Sequence, residues 1–146
     1  MNLNEISGKI VDAALNVHKE LGPGLLESVY EVVLADELSR IGLRVLRQVP
    51  IPIHFQGRVF EEGYRADLLV EAQIVVEIKS TEQLARVHKK QLLTYLKLGD
   101  KRLGLLINFG GELLKGNVER LVNGLEDLKP DSASSASSAR KALVSS

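Results

Sequence analysis

Apolar residues near the start of the chain fall at Ile6, Ile10, Ala14, Val17 and Leu21, the spacing of one helix face, and predict a helix over residues 3–21. Gly22-Pro23-Gly24 breaks it. A second helix over residues 25–41 puts Leu26, Tyr30, Val33, Leu34, Leu38 and Ile41 on its apolar side, with Gly42 as its C-terminal cap. Strand patterns follow over residues 45–55 and 58–70, joined near Gln56-Gly57, then over 73–80. Pro50 and Pro52 place the first strand at a sheet edge or make it irregular, because proline cannot donate to a ladder. Residues 81–98 read as a third helix stopped by Gly99. Leu103 to Asn108 is a short apolar run after a helix, which suits a buried strand in a parallel pairing. Phe109-Gly110-Gly111 is a turn, and residues 117–123 can form one more strand. The order predicts a single α/β domain with a mixed sheet.

The run from Tyr64 to Lys79 is the most specific part of that pattern. Two apolar strands are separated by Glu71-Ala72-Gln73. Folded about Ala72, Val70 meets Ile74, Leu68 meets Val76 and Asp67 meets Glu77. Side chains alternate along a strand, so Lys79 shares a face with Glu77. The opposite face is then Ala66, Leu68, Val70, Ile74, Val76 and Ile78, all apolar. Facing like charges destabilise a sheet. Asp67 and Glu77 therefore need a compensating partner. Lys79 offsets part of the repulsion, and a divalent cation is the natural remainder.

Composition narrows the setting. Of 146 residues, 45% are hydrophobic, enough for one domain with its own core. The formal net charge is zero, so a polyanion would have to be met by a local patch. With no cysteine, disulfides and thiol chemistry are excluded, which fits a reducing, cytoplasmic setting. There is no apolar run of membrane-spanning length and no signal-peptide pattern. His18, His54 and His88 lack zinc-site spacing. From Pro130 to Ser146, 11 of 17 residues are Ser or Ala, too little to bury, so residues 129–146 are expected to be a disordered tail behind a domain of residues 1–128.

Two carboxylates and a lysine on one sheet face suit metal-dependent phosphodiester chemistry. Carboxylates are hard ligands for Mg²⁺ or Mn²⁺, and lysine can orient a water or stabilise charge in the transition state. On spacing alone, a solvated hairpin face with an ordinary Glu-Lys pair is the better account. Context adds weight to the site. Leu84, Val87, His88, Gln91, Leu92, Tyr95 and Leu96 fall on one side of the third helix, which places the Gln91 amide in an apolar stripe where it needs a partner. That partner is either the backbone or the polar end of the hairpin. Tyr95 reads as a packing residue with its hydroxyl at the rim. Glu27 borders the buried face of the second helix. It either complements the helix dipole or adds a carboxylate to the site. Arg86, Lys89, Lys90, Lys97, Lys101 and Arg102 form a basic segment that reads first as a solvated helix face and second as a phosphate contact.

Gly24-Leu25-Leu26-Glu27-Ser28-Val29-Tyr30 resembles the G-x-x-E-x-x-Y signature of the GxxExxY proteins, which are grouped with the PD-(D/E)XK nuclease superfamily. Tyr64-Arg65-Ala66-Asp67-Leu68, Val76-Glu77-Ile78-Lys79-Ser80, Gln91-Leu92-Leu93-Thr94-Tyr95-Leu96 and Leu106-Ile107-Asn108-Phe109-Gly110 extend the resemblance. It implies an αβββαβ restriction-endonuclease-like core. It also implies Glu27, Asp67 and Glu77 as metal ligands, Lys79 as the catalytic lysine and Gln91 as a catalytic glutamine. Tyr30 and Tyr95 are further candidates. The implied activity is a Mg²⁺- or Mn²⁺-dependent nuclease, acting on DNA ahead of RNA. The alternative is a silent nuclease fold that works as a nucleic-acid or protein adaptor, and a third reading is a small structural subunit that could form a homodimer.

Overall fold

A computed structural model describes residues 1–124. The Ser/Ala-rich tail and the expected domain boundary at residue 128 lie outside the described residues. The elements run α1 (Leu3–Leu21), α2 (Glu27–Arg40), β1 (Val45–Phe55), β2 (Arg58–Val70), β3 (Ile74–Lys79), α3 (Arg86–Leu98), β4 (Leu103–Asn108) and β5 (Val118–Val122). The strands form one sheet in the order β1-β2-β3-β4-β5. Only β3 and β4 are parallel, and α3 is their crossover. This is the mixed α/β fold the sequence predicts, consistent with a restriction-endonuclease-like core. No helix among the described residues is long and apolar enough to cross a membrane.

Helix α1 starts where its capping chemistry allows. The Asn2 side chain accepts the Glu5 N–H at 2.8 Å, and Glu5 reaches back to the Asn2 N–H. Ile6, Ile10, Ala14 and Val17 are buried as the periodicity predicts, while Leu21 is exposed. Helices α1 and α2 pack on one sheet face against Leu68, Val70, Ile74, Val76, Ile78, Leu103, Leu105 and Ile107. Helix α3 covers the other face through Leu92 and Leu96, against Ile51, Leu69, Val75 and Leu106. β4 is buried along its whole length, because helices lie over both of its faces.

Three expectations are corrected. Helix α3 begins at Arg86, five residues later than the pattern suggests. The intervening backbone is held elsewhere, since Thr81 bonds through both its N–H and its carbonyl to the Asn108 side chain. Ala66 packs with the α3-side cluster and not with Leu68 and Val70. The alternation of β2 therefore changes phase at Asp67. On α2, Leu26 and Ile41 are exposed, and the buried positions are Tyr30, Glu31, Leu34, Ala35 and Leu38.

Candidate active site

The hairpin of β2 and β3 has the register read from the sequence, with Leu68 opposite Val76 and Val70 opposite Ile74. The ladder stops there. Instead of continuing it, the Ile78 N–H donates to Asp67 Oδ2 at 2.8 Å. The strands part at the point where the carboxylates sit, and a backbone donor fixes one Asp67 oxygen. A charged acceptor makes this bond stronger than an ordinary ladder bond.

Glu77 is largely buried beside Asp67, and its Oε1 has no hydrogen-bond partner. Burial, reinforced by the Asp67 charge, pushes its carboxyl up to about 8, while Lys79 and Tyr64 pull the other way. In the metal-free protein Glu77 therefore holds a proton near neutral pH. The raised carboxyl of Glu77 eases the repulsion expected between the facing carboxylates, alongside Lys79. Tyr64 Oη is also buried without a partner of ordinary hydrogen-bond geometry. Burial, then the Glu77 and Asp67 charges, hold its phenol far above the usual range. The Tyr64 ring stacks on Tyr95, with centroids 4.1 Å apart. Tyr95 thus packs behind the site, in keeping with its reading as a packing residue. Lys79 ends β3, partly exposed, and makes no ion pair within 4 Å among the described residues.

A cleft of about 740 Å³ opens over this end of the sheet, and its lining includes Glu27, Glu31, Gln48, Asp67, Ser80 and Glu82. Glu27 stands on the exposed rim in the first turn of α2, and its Oε2 accepts the Ser80 N–H at 3.3 Å. Tyr30 is fully buried and does not line the cleft. Its hydroxyl donates to the Gly22 carbonyl and accepts the Leu25 N–H at 3.2 Å. Its ring stacks on Phe109, with centroids 4.4 Å apart. Gly24, at φ +94°, and Gly22, at φ +72°, supply the positive-φ residues of the loop. The three motif positions thus divide the work: Gly24 turns the chain, Tyr30 ties the loop down, and Glu27 faces the cleft.

Asn108 anchors the far wall. It is fully buried, and its side chain makes four hydrogen bonds of 2.9–3.0 Å, to both backbone groups of Thr81, to the Gly110 N–H and to Asn117. Gly110 must lie close to the same segment. A Cβ there would fall 2.2 Å from the Thr81 carbonyl oxygen and 2.4 Å from its nitrogen. Backbone cannot swing aside as a side chain can, so Gly110→Ala should destabilise the fold by about 2 kcal/mol or more, read as a lower midpoint in urea unfolding. Tolerance of that alanine would mean that this wall is not close-packed.

Gln91 is exposed on α3 and outside the cleft, so it does not sit in an apolar stripe. The buried line of α3 is Leu92 and Leu96, one position further round, and Val87 is exposed as well. The desolvation reason for giving Gln91 a partner at the site lapses. The structure also brings in Glu31, which the sequence reading missed. It is a buried carboxylate that accepts from Arg47 Nε at 3.0 Å and Gln48 Nε2 at 2.6 Å. Its position on α2, one residue after Tyr30 and four after Glu27, was the available signal.

Among the described residues no three His, Cys, Asp or Glu side chains gather closely enough to cage a cation. Asp67 and Glu77 still suit a hydrated one. Both offer hard oxygens, one Glu77 oxygen is buried and unpartnered, and Mg²⁺ is commonly held by one or two carboxylates with water completing its shell.

The profile of the PD-(D/E)XK nuclease superfamily matches residues 4–121. No curated protein and no solved structure gives a match.

Proposed function

The chain belongs to the PD-(D/E)XK nuclease superfamily, and from that premise we propose that it hydrolyses phosphodiester bonds in nucleic acid, DNA ahead of RNA, with Mg²⁺ or Mn²⁺ held by Asp67 and Glu77. Within the superfamily we place it with the GxxExxY proteins, on the roles of Gly24, Glu27 and Tyr30. The observation that carries the reading is the unpartnered buried oxygen of Glu77 beside Asp67, an arrangement that a cation would complete.

A bound cation of this kind polarises a phosphoryl oxygen and lowers the pKa of a water. The chain's own residues do the rest. Asp67 is held in place by the Ile78 N–H, and on this reading the Ile78 carbonyl would be a further oxygen ligand. Lys79, free of an ion pair among the described residues, extends from the end of β3 to orient the attacking water and to offset charge developing on the phosphoryl oxygens. Glu27, on the rim, faces the substrate side of the cleft.

Among the described residues, the cleft lining contains carboxylates and no lysine or arginine. A phosphodiester brought there without a cation meets these carboxylates, offset only by Lys79 at the end of β3, so binding at this site should be much stronger with the metal. The test is thermal. Millimolar Mn²⁺ should raise the melting temperature by several degrees, because a ligand that binds only the folded state stabilises by mass action. No rise at that concentration would leave the adaptor as the better account.

A further inference from the structure

We infer that Gln48 is a positioning residue that locks Asp67 in the orientation needed for a cation, with the buried Glu31 as its anchor. The inference rests on the proposed role of Asp67 as a metal ligand.

Gln48 lies in the middle of β1 but has φ +52°, a left-handed conformation that residues with side chains rarely adopt within a strand. The β1–β2 register pairs Arg47 with Leu68 and Val49 with Ala66. The distortion therefore falls across from Asp67, where β2 also changes phase. Left-handed residues without glycine persist where the surroundings over-determine them. Here they do, from three sides. Gln48 Nε2 donates to Glu31 Oε1 at 2.6 Å and to Asp67 Oδ1 at 3.3 Å. Both neighbours only accept when ionised, so the amide must present its NH₂ to both. Arg65 donates to the Gln48 carbonyl at 3.0 Å. The second oxygen of Glu31 is taken by Arg47 Nε at 3.0 Å.

The consequence for Asp67 is geometric. Its Oδ2 is held by the Ile78 N–H and its Oδ1 by Gln48, so the plane of the carboxylate is set from both edges before any cation arrives. Partners of this kind behind a ligand commonly change metal affinity by ten- to a hundredfold. The competing explanation is that the kink merely twists an edge strand and so blunts its pairing with other chains.

Gln48→Gly and Gln48→Asn separate the two. Both residues accept a left-handed backbone, and neither can span from Glu31 to Asp67. In the full chain, each relieves the backbone strain but strands the buried Glu31 Oε1, so the metal-free melting temperature should fall by a few degrees at most. Each should also weaken Mn²⁺ binding, measured by titration calorimetry, by about tenfold. Variants that bind Mn²⁺ as tightly as wild type would overturn the inference and leave the proposed function standing. So would variants that melt lower without a change in affinity. Wild-type protein that binds no Mn²⁺ would overturn both.

Discussion

Lys79→Ala is expected to reduce metal-dependent cleavage by a factor on the order of 10³, while the variant melts within a few degrees of wild type. The two halves of that expectation have separate causes. Lys79 backbone contacts, its register opposite Asn108 and the bond from the Phe109 N–H to its carbonyl, do not involve the side chain. The ammonium makes no ion pair among the described residues, so truncation removes little that holds the fold. On the proposed mechanism it removes a donor to developing charge, and loss of such a donor typically lowers rates by 10²–10³. Asp67→Asn should act similarly, since an amide oxygen can still accept the Ile78 N–H but carries no charge for a cation. The check is cleavage of a DNA substrate with Mn²⁺ alongside a thermal melt. Wild-type cleavage by both variants would show that the site has been misassigned.

Glu77→Gln should change the metal-free protein in the opposite sense. The folded state holds the Glu77 proton up to about pH 8, against an ordinary value of 4.5. Whatever stability Glu77 lends is therefore fully present below pH 4.5 and is lost as pH rises through 8. The amide mimics the protonated form at every pH. Relative to wild type, Glu77→Gln should gain on the order of 2 kcal/mol at pH 8.5 and almost nothing at pH 4.5. With Mn²⁺ present the ranking should reverse, because the cation needs the charged carboxylate that the variant lacks. Urea midpoints at the two pH values, with and without Mn²⁺, read all four corners. A pH-independent difference between the two proteins would mean that Glu77 is not a buried acid of raised pKa.

The elements were largely legible because local pattern and tertiary need agree. The bounds of α1, β1, β2 and β4 match their periodicity, and the hairpin register follows from which residues must be buried together. The start of α3 was not legible, since the segment before it gives its backbone bonds to Asn108, 27 residues on. The β2–β3 turn was legible as a break but not as a conformation. Glu71 and Ala72 both take positive φ, where glycine or asparagine is usual, and a 2.6 Å bond from the Arg44 N–H to the Glu71 carboxylate secures it. At the site, strand alternation proposes the group of Asp67, Glu77 and Lys79, although the alternation of β2 breaks at Asp67 and the ladder ends before it. Gln91 was misplaced by one helical position, which is the difference between a buried amide and a solvated one.

By itself, then, the sequence determined the order of elements, the hairpin register and the grouping of Asp67, Glu77 and Lys79. Each of these depends on burial repeating at 2 or 3.6 residues along a local stretch. Only the tertiary structure decided that Asp67 takes the Ile78 N–H, that Glu77 keeps a proton, and that Glu31 and a left-handed Gln48 stand behind the site. Those outcomes depend on desolvation and on hydrogen bonds between α2, β1, β2 and β3, whose partners are 11 to 19 residues apart in sequence. No periodicity within one element encodes such distances.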